Sequence, residues 1–145
     1  MTLTNTTHQT LSGTLERVFA IIAFVYNLII TTYLWIRIAL QQPIWLFPAL
    51  YFLELVLLSG IVLLFVFQSW PLRMHIIAGS AGVVTSFSVM GVFSVGLFYA
   101  PLALLLLLGA LASWRASHKP IIMLLGAYIL FALVQTFGML ILASL

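Results

Sequence analysis

The residue best placed to do chemistry in this chain is Glu54, which lies inside the apolar run 45–67. The chain has only two acidic residues, and the other, Glu16, lies at the end of an apolar segment. A carboxylate in hydrocarbon costs about 3 kcal/mol or more unless it is protonated, paired or facing water. Glu54 therefore needs either a structural partner or a task such as taking up a proton or a cation.

Other kinds of reactive site find little support in the sequence. There is no cysteine, so no disulfide framework or thiol nucleophile is possible in this chain. His8, His75 and His118 fall in the polar tail or near segment ends, where none can serve as an axial ligand at mid-membrane. Metal-ligand spacing, a pair of catalytic acids and a phosphate-binding loop are also missing. We expect no cofactor, no metal site and no enzymatic activity.

The composition predicts the class of protein that must position Glu54. Of 145 residues, 65% are hydrophobic and 5% are charged, which leaves too few charges to cover the surface of a soluble domain. We therefore expect an all-α, polytopic integral membrane helix bundle. Its partners are predicted to be the lipid bilayer and other membrane proteins or further copies of itself. Its basic residues are scattered, so nucleic acid is not an expected partner.

Three apolar blocks are read directly as spans, at about 16–40, 45–67 and 120–144. A fourth block of 41 residues separates Arg73 from Arg115 and contains no charge. As one helix it would be roughly 60 Å long, twice the hydrocarbon thickness. We predict a hairpin with spans 74–95 and 98–114, turning at 94–101 with Gly96 as a left-handed cap. The result is five transmembrane helices, with four as the alternative.

Charge asymmetry favours the five-span interpretation. It places four basic residues on one side of the membrane and only Arg37 on the other, which predicts N-terminus in and C-terminus out. The four are Arg17, Arg73, Arg115 and Lys119. Aromatic residues agree, with one interface marked by Trp70 and Trp114 and the other by Trp35, Trp45 and Tyr99. Short loops and the absence of a targeting segment favour a bacterial cytoplasmic membrane.

Small residues predict where helices pack closely. Ala78, Gly82 and Ser86 repeat at every fourth position and form a narrow strip on the third span. Such strips let helix backbones approach, so this span is expected at the centre of the bundle, although the strip could instead line a cavity. Gly109 in the fourth span and Gly126 in the fifth predict further close contacts.

Counting residues from the outer ends of the spans places a polar layer at the depth of Glu54. Together with Glu54, its members come from four spans: Tyr33, Ser86, Ser88 and Gln135 at similar depth, with Asn27 deeper and Arg37 higher. In one interpretation, Glu54 is structural and bonds one of these side chains, which would fix helix register. In the other, it titrates in a water-accessible pocket and serves transport.

The sequence predicts a polar tail at 1–14 followed by a single transmembrane domain at 15–145. The function we expect is that of a non-enzymatic accessory, assembly or scaffold subunit within a larger membrane complex. The alternative is a small proton-coupled transporter or channel subunit in which Glu54 is the intramembrane titrating group.

Overall fold

A computed structural model describes residues 3–41, 46–68, 72–92, 95–117 and 119–144. The described residues are 93% helical and contain no strand. They form five α-helices and one short 3-10 helix, Gly96–Tyr99. The α-helices are α1 (Leu3–Gln41), α2 (Leu46–Val66), α3 (Arg73–Met90), α4 (Ala100–Ser117) and α5 (Ile121–Ser144).

Three helical segments are long and apolar enough to cross a bilayer. They are Ser12–Ile38, Gly96–Ser117 and Ile121–Ile141. Helix α3 is shorter, and so is the apolar stretch Leu50–Val66 of α2. Among the described residues, the helical content and these three segments identify a membrane-type helix bundle.

Helix α3 lies at the centre of this bundle. It contacts α2, α4 and α5, while α1 closes the other side of a four-helix ring by contacting α2 and α4. Helix α5 stands outside that ring and packs mainly on α3. Two thirds of α3 is buried, whereas α5 directs large apolar side chains such as Ile122, Val134 and Phe137 outward.

Small side chains explain how so many helices reach α3. Ala78 is fully buried, and a Cβ on Gly82 would overlap the carbonyl oxygen of Tyr128 and lie 3.1 Å from the Ala132 nitrogen in α5. A Cβ on Gly109 would meet Phe19 and Ile77 at ordinary contact distances of 3.6 and 3.7 Å. The closest backbone approach therefore lies between α3 and α5.

Gly126 differs from the sequence-based expectation. A Cβ at this position would meet nothing within 4 Å, so Gly126 makes no close helix contact within the described chain. Its position on α5 explains the difference, because α5 contacts α3 along one face only and Gly126 is on the exposed side.

The turn between α3 and α4 also differs from the expected one. Helix α3 ends at Met90, five residues before the predicted end of its span, and Gly91 follows it as the cap. Gly96 lies in the 3-10 helix, where its N–H donates to the Gly91 carbonyl over 2.7 Å. Because a Cβ on Gly96 would lie 2.6 Å from the Ser88 carbonyl oxygen, glycine is needed there for close approach and not as a left-handed cap.

Tyr99 is a core residue and not part of an interfacial belt. Its side chain is fully buried and packs edge-on against Phe87, with ring centroids 5.2 Å apart. The expected interfacial residues Trp45 and Trp70 lie outside the described residues. Trp114 stays near a helix end, where its indole N–H donates to the Lys119 carbonyl over 2.7 Å.

The contact of Gly82 with α5 gives a direct stability test. We expect Gly82→Ala to destabilise the bundle by about 1–3 kcal/mol, because the added methyl forces the α3 and α5 backbones apart. Gly126→Ala is the matched control and should be neutral or slightly stabilising, because Ala favours a helix over Gly by roughly 1 kcal/mol. Thermal unfolding of both variants in detergent measures the difference. Equal stabilities would contradict this packing.

Candidate functional site

Asn27 is a member of the predicted polar layer that is buried and joins two helices. It is fully buried in α1 and donates from Nδ2 to the Leu55 carbonyl over 2.7 Å and to the Ser59 hydroxyl over 2.8 Å, both in α2. Its side-chain oxygen accepts a hydrogen bond from Thr31 over 3.1 Å. These bonds join α1 to α2 at one register, and none of them goes to Glu54 or Gln135.

The same cluster extends to the turn that precedes α4. The Thr31 and Tyr99 hydroxyls are 2.9 Å apart. One turn earlier in α1, the Tyr26 hydroxyl donates to the Phe98 carbonyl over 2.7 Å. Both contacts fix the short 3-10 helix against α1, so this set of polar groups holds three parts of the fold together.

Ser86 joins α3 to α5. Its hydroxyl donates to the Ala132 carbonyl over 3.0 Å and also contacts the Thr136 hydroxyl. Ser88 differs, because it donates to the Val84 carbonyl of its own helix over 2.8 Å. Interhelical polar contacts such as that of Ser86 contribute about 1 kcal/mol on average and fix register.

Glu54 contacts one of its predicted partners. The Gln135 amide of α5 donates from Nε2 to Oε2 of Glu54 in α2 over 3.2 Å. The backbones of α2 and α5 do not approach each other, so the two side chains meet across α3. Both side chains are partly exposed, which places the pair at the surface of the bundle and not in its core.

Tyr33 and Arg37 form a separate group. Both lie on α1 with exposed side chains, and the Tyr33 residue is 50% exposed. Their spacing of four residues places them on one face of the helix. Among the described residues, no carboxylate lies within ion-pair distance of Arg37, so it does not pair with Glu54 inside one copy of the chain.

The structure also pairs a residue that sequence reasoning left aside. Glu16, only 1% exposed, forms an ion pair in which its Oε1 lies 2.8 Å from Nε of Arg73. The Arg73 side chain is 25% exposed, and the Ser113 hydroxyl of α4 faces the same carboxylate. This group joins α1, α3 and α4 at one end of the bundle.

Depth counting from the inner ends places both members of this pair at one level. Glu16 lies at the start of the first predicted span and Arg73 immediately before the third, on the same predicted side. The sequence therefore indicates that the two charges share a depth, whereas their contact depends on how the helices are rotated.

A groove of about 420 Å³ lies between α1 and α2, close to the Asn27 cluster. Its walls include Trp35, Leu50, Leu53 and Val56. The Thr31 hydroxyl at this groove is already bonded to Asn27 and Tyr99. The groove therefore offers space for an apolar group but no charge to orient a polar ligand.

No known protein family matches this chain, and neither a curated protein nor a solved structure is significantly similar to it. The site must therefore be interpreted from its geometry. Within the described residues, no three metal-ligating side chains come together. Among the described residues, three buried polar sets join helices, around Asn27, Ser86 and Glu16. Two further patches lie at the surface: a partly exposed one with the Glu54 acceptor and an exposed one with the donors Tyr33 and Arg37.

The Glu16–Arg73 pair predicts a stability effect. Arg73→Met should destabilise the bundle by about 3 kcal/mol, because it leaves a buried carboxylate without its counter-charge. The double variant Glu16→Leu with Arg73→Met should recover most of that loss, since no unpaired charge remains.

Unfolding in detergent would measure both variants against Arg115→Met. Arg115 is exposed at the end of α4, so its substitution should change stability by less than about 0.5 kcal/mol. If Arg73→Met reduced the stability of the bundle no more than Arg115→Met, the ion pair would not be a structural contact.

Proposed function

We propose that this protein is a five-span membrane protein that acts as a non-enzymatic accessory, assembly or scaffold subunit of a larger membrane complex. The observation that carries this proposal is the use of its interior polar groups. Asn27, Thr31, Ser59 and Ser86 bond neighbouring helices, so they are committed to holding the bundle. A protein built this way presents a rigid apolar surface, which suits packing against other membrane segments.

The proposed orientation has the N-terminus inside and the C-terminus outside, in a bacterial cytoplasmic membrane. Support comes from the end of the bundle that contains the Glu16–Arg73 pair. At the same end, Arg17 stacks on the Phe67 ring, and the Ser117 hydroxyl contacts the Met74 sulfur over 3.6 Å. Four of the five basic residues are found there, which is the asymmetry typical of a cytoplasmic side.

A second function, small proton-coupled transporter or channel subunit, rests on Glu54. Its carboxylate is partly exposed and bonded to an amide, with no cationic partner among the described residues. An intramembrane carboxylate in that state is available to exchange a proton or bind a cation. Gln135 would then orient the carboxyl group by its hydrogen bond.

Purification in a mild detergent tests the scaffold proposal. The tagged chain, expressed at its native level, is expected to bring down other membrane proteins at a fixed stoichiometry. A chain that emerges without any stoichiometric partner would contradict the proposal. Arg73→Met, which weakens the bundle, should lower the yield of those partners.

The transport alternative makes a different prediction. In reconstituted vesicles, Glu54→Gln should abolish proton or cation flux while leaving expression and thermal stability unchanged, because Gln retains the shape of the side chain but cannot titrate. Gln135→Leu should reduce the flux less. Flux that is equal in the original chain and in Glu54→Gln would exclude Glu54 as the transport group.

A further inference from the structure

Two polar patches, one partly exposed and one exposed, lie outside the buried polar sets of the bundle. The acceptor patch consists of Glu54 and Gln135 and lies between α2 and α5. The donor patch consists of Tyr33 and Arg37 and lies on α1. Neither patch is bonded to the other within one copy, although both belong to the outer half of the bundle.

The acceptor patch is incomplete as it stands. The Gln135 amide supplies one N–H to Glu54, whereas a carboxylate offers about four acceptor positions. Carboxylates at membrane depth face a bundle interior or water, or they pair with another polar group. The partly exposed side of Glu54 is therefore open to a further donor, which a second copy can supply.

The donor patch lies higher along the bundle than the acceptor patch, but within reach of it. Asn27 bonds the Leu55 carbonyl, so Glu54 is level with the α1 residue just beyond Asn27. Tyr33 then lies about 7 Å higher and Arg37 about 13 Å higher along the axis. Helical side chains lean toward the N-terminus of their own helix, which lowers the Tyr33 and Arg37 groups and raises that of Glu54. A long arginine side chain covers the rest of the distance.

The two patches point in different directions. Thr31 and Trp35 line the groove shared with α2, and Tyr33 and Arg37 follow them by two positions each, which is about 200° around the helix. The donor patch therefore faces away from α2. Glu54 faces α5, and no described residue of α1 approaches α5. One copy cannot join its own patches, but the patch of one copy can meet that of another.

We infer that the protein self-associates head to tail in the membrane, with Arg37 and Tyr33 of one copy binding Glu54 and Gln135 of the next. Charge complementarity identifies the occupant as a second copy. In the outer half of the predicted membrane domain, Glu54 is the acidic residue and Arg37 the basic one, and neither forms an ion pair with a described residue of its own chain. Contacts between unlike patches build a closed ring or an open row of copies.

The absence of cysteine in the native chain makes a clean cross-linking experiment possible. Two differently tagged copies are expressed together, one carrying Tyr33→Cys and the other Gln135→Cys, and native membranes are treated with an oxidant. We expect a disulfide between the two tags. The control pair replaces Gln135→Cys with Leu104→Cys, which is exposed on α4 and belongs to neither patch. It should give little mixed product.

Charge removal tests the chemistry of the contact. Adding Glu54→Gln or Arg37→Gln should each lower the yield of mixed product by about tenfold, which corresponds to the loss of one charge-assisted contact. Combining them should lower it little further, because both remove the same contact. Arg115→Gln, at the other end of the bundle, should leave the yield unchanged. Thermal unfolding of each variant verifies that the bundle is intact.

Several outcomes would overturn the inference. They are a control pair that cross-links as well as the patch pair, a yield insensitive to Glu54→Gln and Arg37→Gln, and cross-links only between two Gln135→Cys copies. The inference rests on the proposed scaffold role, but experiment can reject either hypothesis while the other stands. A chain that binds other proteins without cross-linking to itself would keep the scaffold role and reject self-association. A native complex made only of this chain would support self-association and reject the scaffold role.

Discussion

The close approach of α3 to α5 is the constraint on which the rest of the bundle depends. At Gly82 there is no room for even a methyl group between α3 and the α5 backbone. That contact brings Ser86 within reach of Ala132 and Thr136, and it sets the height at which Gln135 meets Glu54. Because α5 contacts the bundle mainly through α3, a small change at Gly82 would alter the polar pair as well as the packing.

The two carboxylates of the chain differ in environment. Glu16 is buried with a guanidinium and a hydroxyl, at an end where α1, α3 and α4 converge. Glu54 is partly exposed and receives an amide N–H. A buried pair such as the first is strongly destabilising to break, whereas a carboxylate at the surface of an apolar bundle still needs a partner. The structural role of Glu16 is to pair with Arg73 inside the bundle. Glu54 is instead the residue on which the proposals of association and transport depend.

The sequence indicates much of this architecture for clear physical reasons. Apolar runs of membrane-spanning length and a long uncharged block predict helices and a hairpin, and helices occur in each of these regions. The small residues at 78, 82 and 86 indicate a centrally packed α3, where Ala78 and Ser86 are indeed buried. Depth counting also included Gln135 among the possible partners of Glu54.

Other features depended on helix rotation, which residue counting cannot provide. Asn27, Tyr33 and Glu54 belong to one predicted polar layer, yet they point to the α1–α2 interface, outward from α1 and toward α5, respectively. For the same reason Gly126 resembled a packing glycine, and Tyr99 resembled an interfacial aromatic although it is a core residue. The depth of a side chain along its helix can be predicted from the sequence, but the direction in which it points depends on how the helices pack.

The central claim is that this bundle spans a membrane with the Glu16–Arg73 end inside. Single cysteines in the cysteine-free chain test it most directly, using a membrane-impermeant maleimide on intact cells. Leu40 marks one end of the bundle, and Leu72 and Ser117 mark the other. We predict that Leu40→Cys reacts from outside and that Leu72→Cys and Ser117→Cys react only after permeabilisation. Labelling of Leu40→Cys and Leu72→Cys from the same side of intact cells would contradict this orientation.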